Sequence, residues 1–390
     1  MEKKHNKTGL KAAILTMSFL QMATNAIAAI LADISAEFPE VSTVTVQYLM
    51  TFPNLLVVVM SIVTARLSVR VPKKLLAMAG LCASLFAGIG SFLLHGSIVL
   101  LYCWAGVLGI GIGLVVPIAA SLIADYFDGG EKDALLGYQT AAANVGSMLM
   151  TFFGGMLAVT GWHYNYLVYL LALPGIVFTM LFVPERNAAM QEPSKNTEKT
   201  GIRIPRATRF YFVIAAVFML LFYMGPTNLA MFVEERGIGN TMTAGTAATI
   251  LLLGGTVMGL IFGKAASRMG KYTITLGFVM LAAGFFILYT AKGLLVLYIG
   301  SFFVGTSNTL VLPQCMGSVV TQDKEQSTFL MSAVFAIANL GTFLAPALTG
   351  VSAVVMGNDM ASSRFLFTGG TAVVCLVLSI IRIRFQFISE

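Results

Sequence analysis

Long apolar runs alternate with short polar breaks along the whole chain. They lie at about Leu10–Ile34, Val44–Ala65, Leu75–Leu94, Ile98–Ile123, Ala134–Val159 and Tyr164–Val183, then at Phe210–Val233, Thr243–Gly263, Tyr272–Thr290, Leu294–Val319, Ser327–Val351 and Phe365–Ile381. Each is close to the roughly 20 residues that a helix needs to cross the hydrocarbon core. The pattern predicts an all-α membrane protein with twelve transmembrane helices. The longest polar break, Pro184 to Arg209, is rich in Lys, Arg, Glu, Ser and Pro. It reads as a flexible or surface-lying linker (184–209) between an N-terminal six-helix bundle (1–183) and a C-terminal one (210–390).

The two halves repeat one design. Gly109, Pro117, a polar turn at 125–133, Ala143-Asn144-Val145-Gly146 and Gly155 are echoed by Gly305, Pro313, a polar turn at 322–326, Ala338-Asn339-Leu340-Gly341 and Gly350. Gly-to-Pro spacing is eight residues in both copies, and Asn to the last Gly is eleven. Aligned this way, Met150-Thr151 falls opposite Ala345-Pro346. A repeat of this kind predicts pseudo-symmetric bundles with a binding site where they meet.

Composition agrees with the bilayer as solvent. The 390 residues are 57% hydrophobic and only 11% charged, against about 25% charged in soluble domains. The formal net charge of +7 does not mark nucleic acid, because the basic residues sit in short loops with no aromatic-interleaved patch. All but three of the 24 basic residues, the exceptions being Arg236, Lys292 and Arg364, fall on one side of a twelve-span topology. That bias predicts cytoplasmic termini, and a multi-pass protein of a bacterial cytoplasmic membrane is expected. Cys82, Cys103, Cys315 and Cys375 lie inside apolar runs without metal-ligand spacing and read as packing residues. No metal or cofactor is expected.

No charged side chain falls mid-membrane by these boundaries, and Arg364 is expected outside the last span. Asp33, at the outer end of the first span, is the candidate for protonation, with solvation as its plain alternative. The remaining polar residues are uncharged. Gln21 and Asn25 share a face of the first helix; Gln47, Thr51 and Asn54 mark the second, Gln139 the fifth, Tyr223 and Asn228 the seventh, Asn308 and Gln314 the tenth. These ten are the candidate solute cavity, with interhelical hydrogen-bond glue as the alternative, since amides in hydrocarbon must face other helices or a water-filled cavity. Asn144 and Asn339 read as interhelical glue. Together with Gly109, Gly113, Pro117, Gly146, Gly155, Pro313, Gly341 and Pro346 they form the candidate packing and gating set.

The loop after the second span reads Ala65-Arg66-Leu67-Ser68-Val69-Arg70-Val71-Pro72-Lys73-Lys74, and its counterpart reads Gly263-Lys264-Ala265-Ala266-Ser267-Arg268-Met269-Gly270-Lys271. Both resemble the loop motif of the major facilitator superfamily, through Leu67, Arg70, Lys73 and Lys74 in the first copy and Gly263, Arg268, Gly270 and Lys271 in the second. The acidic position of that motif is neutral in both copies. The resemblance covers the whole chain and implies the major facilitator fold, with the first, fourth, seventh and tenth helices lining the cavity. The fourth span keeps the family's Gly109, Gly111 and Gly113, but carries Ala105 where proton-coupled drug exporters have an arginine.

The resemblance implies a secondary-active transporter working by alternating access. Its expected partners are a small neutral, zwitterionic or amphiphilic solute, a coupling proton or counter-solute, and the lipid bilayer. Export in the manner of drug or sugar efflux is the expected direction, with import, exchange or facilitated passage as alternatives, and a monomer is expected. A polytopic membrane enzyme or sensor is the rival from another class. It lacks a clustered catalytic constellation, and the linker is too short for an output domain.

Overall fold

A computed structural model describes residues 7–185, 206–322 and 327–389. Most of the expected linker, and residues 323–326 of the second polar turn, lie outside the described residues. The chain is built of helices α1 (Lys7–Ser18), α2 (Leu31–Glu37), α3 (Thr43–Leu67), α4 (Lys73–Leu93), α5 (Ile98–Tyr126), α6 (Gly129–Ala158), α7 (Ala172–Phe182), α8 (Arg206–Glu235), α9 (Thr241–Met269), α10 (Thr273–Thr290), α11 (Leu294–Gln322), α12 (Ser327–Met356) and α13 (Ala361–Ser389). Among the described residues twelve helical segments are long and apolar enough to cross a membrane, as the apolar runs predict. Large aliphatic side chains stand on their outer faces: Leu260 is 84% and Val354 85% exposed. Only a hydrocarbon solvent makes that surface favourable.

Chain contacts define two compact units. One holds residues 7–27 and 52–185 of those described; the other holds 28–51, 206–322 and 327–389. In the first, α4 packs on α5 and α1 on α7; in the second, α10 packs on α11 and α13, α9 on α11, and α8 on α12.

The repeat's glycines occupy matching contacts. A Cβ on Gly109 of α5 would lie 2.7 Å from the Pro53 carbonyl oxygen of α3, and one on Gly305 of α11 would strike the Leu251 backbone of α9. Likewise Gly146 of α6 lies against the Phe19 backbone at the end of α1, and Gly341 of α12 against the Ala216 backbone of α8. Small residues let membrane helices approach to backbone contact. Each half therefore uses the same two glycine-lubricated crossings.

The first span is not the continuous helix that its apolar run predicts. After α1 the chain turns, runs as a 3₁₀ helix over Ala23–Ile30 and resumes as α2. No proline or glycine lies in that stretch, so the cause is tertiary. Tyr169 Oη donates to the Ala23 carbonyl at 3.1 Å and Asn165 Nδ2 to that of Ala26 at 3.0 Å. Ser147 Oγ reaches the Met22 carbonyl at 3.4 Å, and Thr151 Oγ1 that of Asn25 at 3.5 Å. Carbonyls freed from the α-helical ladder thus find side-chain donors, as burial in a membrane requires. The sixth span is also split, with a 3₁₀ helix over Trp162–Leu171 before α7.

At the opposite end of the first unit, the neutral loop motif is replaced by lysine pairs with other elements. Lys73 pairs with Asp125 at 2.6 Å and also donates to Ser121, while Lys74 pairs with Glu185 at 3.3 Å. Lys11 and Lys7 meet Glu131 at 2.7 and 3.7 Å. Arg70 and Arg268 are exposed. Gly270 has φ +50° just after α9, a left-handed turn that favours glycine. The surroundings of Gly263 and the Lys271 side chain lie outside the described residues.

Candidate functional site

Five polar side chains from four helices converge in the second unit. Gln47 of α3, Asn228 of α8 and Thr349 of α12 are 0% exposed, and Arg364 of α13 is 2% exposed. Gln47 Nε2 donates to Asn228 Oδ1 at 2.7 Å, and Gln47 Oε1 accepts from Thr349 Oγ1 at 2.7 Å. Asn228 turns its Nδ2 to the Met224 carbonyl at 3.0 Å and to Thr227 Oγ1 at 3.2 Å. Its Oδ1 takes a second hydrogen bond, from Arg364 Nη1 at 2.8 Å. Arg364 Nη2 donates to the Asp359 carbonyl at 2.8 Å and to its carboxylate at 2.6 Å, and Nε is buried without a partner. The Asp359 side chain is 61% exposed, so the ion pair is solvated on one side only.

The α3 residues of this cluster follow the helical period. Val44, Gln47, Tyr48 and Thr51 are spaced i, i+3, i+4 and i+7 and share one face. Val44 touches Gly350, the Tyr48 ring lies 5.2 Å from that of Phe343, and Thr51 Oγ1 reaches the Phe343 carbonyl at 3.5 Å. This stripe sets Gln47 against α8 and α12.

Beside the cluster lies a cavity of about 420 Å³ lined among others by Ser35, Met231, Glu234, Asp359 and Arg364. Met231 belongs to both, its Sδ lying 3.6 Å from Gln47 Nε2 and from Arg364 Nη1. Glu235, also on the lining, is committed to the start of α13, where it accepts from the Ala361 amide at 2.5 Å and from Ser362 Oγ at 2.5 Å. A carboxylate there satisfies amides that the helix leaves open. Asp33 is half-buried rather than freely solvated, and accepts from Thr241 Oγ1 at 2.8 Å.

Arg364 corrects the sequence-based expectation. Its position outside the last span followed from the apolar run beginning at Phe365. The helix itself begins at Ala361, which places Arg364 in the first turn, facing α8. The chain does carry a buried arginine. Thr349 was also missed, because a threonine within an apolar run leaves no mark on hydropathy. A usable signal for Arg364 was its place one residue ahead of the run, within the first turn of any helix extended by a cap.

The other expected cavity residues are dispersed. Thr51 joins the stripe of the second unit, and Tyr223 lends its carbonyl to Thr227 Oγ1 at 2.6 Å. Asn308 has a buried Oδ1 without a partner, and Gln314 reaches Ser318 of its own helix at 3.5 Å. In the first unit Asn25 Nδ2 bonds Ser147 Oγ at 3.1 Å, Gln21 Oε1 is buried without a partner, and Asn54 and Gln139 are buried. Of the packing set, Gly113 lies against Met60, and Gly155 and Pro346 are buried. Pro117 and Pro313 are half-buried within α5 and α11. Asn144 is half-buried, and Asn339 Nδ2 bonds the Phe335 carbonyl of its own helix at 2.9 Å. Among the described residues no group of three or more His, Cys, Asp or Glu could hold a metal ion.

A helical membrane protein with a polar cluster buried among apolar spans has the build of a solute carrier. The chain belongs to the Major Facilitator Superfamily, whose family model matches residues 13–346. It is thus a multi-pass integral membrane protein of the transporter class. Solved structures share its fold at low identity. A POT family transporter in complex with a thioalcohol-conjugated peptide aligns with TM-score 0.76 and 13% identity, covering 96% of each chain. The nucleoside transporter NupG gives 0.76 and 13%, covering 95% of this chain and 99% of that one. A bacterial homolog of the human lysosomal transporter Spinster, inward-facing and unoccupied, gives 0.72 and 15%, covering 98% and 96%. Comparison with curated proteins gives no match.

Proposed function

We propose that the chain is a secondary-active transporter that moves a small organic solute by alternating access of two six-helix bundles, residues 1–183 and 210–390. The observation that carries this reading is the fully buried Gln47–Asn228–Thr349–Arg364 cluster beside a cavity of about 420 Å³. Polar and charged groups in membrane helices are costly and are retained chiefly on substrate or ion pathways. Cavities of 300–1,000 Å³ suit small organic ligands. Fold neighbours described as a peptide-bound transporter and a nucleoside transporter favour an organic solute over an inorganic ion. With Arg364 buried, a zwitterionic or hydrogen-bonding solute is preferred to a purely greasy one.

Export is the direction we infer, because Gly146, Gly154 and Gly155 of the fifth span resemble the glycines of the family's antiporter motif; Asp33, held by Thr241, is the proposed site of a coupling proton. Flux into and out of proteoliposomes tests this. A defined mixture of amides, amino acids, sugars and drugs is presented, and vesicle contents are analysed by mass spectrometry with and without a pH gradient. Saturable, gradient-driven movement against the export direction only would replace efflux by uptake, the second reading. No movement above that of empty vesicles would remove the transport assignment.

A further inference from the structure

Gln47 makes, with a side-chain carboxamide, the contacts that a bound ligand would make. Its donor edge faces Asn228 Oδ1 and its acceptor faces the Thr349 hydroxyl, both at 2.7 Å. The receiving groups are locked by other partners. Asn228 Nδ2 is spent on the Met224 carbonyl and Thr227, and its Oδ1 is oriented by Arg364 Nη1. Asn228 can therefore offer only an acceptor to whatever replaces Gln47, while the Thr349 hydroxyl, which accepts from Asn228 Nδ2 at 3.5 Å, turns its O–H toward the Gln47 position. A ligand meeting both needs an N–H donor and a carbonyl acceptor side by side on one planar group. A carboxylate lacks the donor and would set its negative oxygen against Asn228 Oδ1. A ketone lacks the donor as well. The carrier of that group has somewhere to lie, because Met231, whose Sδ lies 3.6 Å from Gln47 Nε2, lines the cavity together with Arg364.

Resting on the transporter reading, we propose that Asn228, Thr349 and Arg364 form a recognition site for an amide edge of the solute, which Gln47 occupies as an internal surrogate. As a surrogate, Gln47 satisfies buried donors and acceptors when no solute is bound. When the solute's amide enters, Gln47 leaves; when Gln47 returns, the solute is displaced.

Benzamide, benzoate and acetophenone share one ring and differ only in this edge. Their binding to the purified full chain is measured by calorimetry in detergent, with the wild type and the variants Gln47→Ala and Asn228→Ala. The expected result is benzamide binding at least about tenfold tighter in Gln47→Ala than in the wild type. The same variant prefers benzamide over benzoate and acetophenone by a similar factor, and the double variant Gln47→Ala/Asn228→Ala loses that preference. Equal binding of the three probes, or unchanged benzamide affinity without Asn228, overturns the site. If Gln47→Ala is too unstable to purify, its yield with added acetamide, the fragment deleted by truncation, reads the same recognition. Acetamide is expected to raise the yield where acetone and acetate do not; equal rescue by acetone overturns the proposal. Failure of these binding arms leaves the transport reading standing, since that is read from flux.

Discussion

Gln47 Nε2 and Arg364 Nη1 converge on one atom, the Oδ1 of Asn228, at 2.7 and 2.8 Å. Both lone pairs of that carbonyl are used. An amide from the second span and a guanidinium from the twelfth are thus coupled through the seventh. Helix α8 keeps its regular form over Arg206–Glu235 despite Pro226, so Asn228 is held on a rigid element while its two partners come from opposite ends of the sequence.

This coupling has a measurable size. A double-mutant cycle of Gln47→Leu and Asn228→Leu, read as thermal melting in detergent, should give a coupling energy of roughly 0.5–2 kcal/mol. Each single change strands a buried partner, and the double change strands less. Strict additivity would mean that the contact is not made in the folded protein.

The 3₁₀ break in the first span depends on its side-chain caps. Asn165→Leu leaves the Ala26 carbonyl without its donor and should cost about 1–3 kcal/mol. Thr290→Val, at an exposed helix end where the hydroxyl only bonds Ile287, should stay within about 0.5 kcal/mol. Equal melting of both variants would show that the break is not held by Asn165.

Glycine crossings should respond alike in the two halves. Gly146→Ala and Gly341→Ala each drive a methyl into a facing backbone and should destabilise by about 1–3 kcal/mol. Gly317→Ala meets nothing within 4 Å and gains about 0.5–1 kcal/mol of helix propensity. Melting of the three purified variants checks this order. A neutral Gly341→Ala would mean that the second crossing is looser than the first.

Much of this architecture was legible in the sequence. Hydropathy alone reached the twelve spans, and the equal Gly–Pro and Asn–Gly spacings marked a repeat; which backbones its glycines meet was not legible, since that depends on which helices pack together. Gln47 and Asn228 were legible as amides that hydrocarbon will not tolerate alone. Their pairing was not, since sequence says nothing of which helices meet. The break at Ala23–Ile30 was hidden for a related reason: its residues are ordinary helix formers, and the donors that stabilise it lie on α6 and near α7. Arg364 was misplaced because a hydropathy window ends where the apolar run ends, whereas the Glu235 cap starts α13 one turn earlier.

Arg364 separates stability from function. A buried guanidinium with an unpartnered Nε and a half-solvated counter-ion contributes little net stability. Arg364→Met should therefore melt within about 1 kcal/mol of the wild type, or above it, while solute flux falls at least about tenfold. A large loss of stability with flux per folded molecule unchanged would make the arginine structural.

The most direct test is label-free flux through Asn228→Ala. Wild-type proteoliposomes should move at least one solute of the mixture saturably and faster than empty vesicles. Asn228→Ala at matched, folded density should lose that movement by about tenfold or more, the loss of one charge-assisted hydrogen bond in the pathway, and Gly317→Ala should retain it. Full flux through Asn228→Ala would contradict the assignment of the cluster as the solute site.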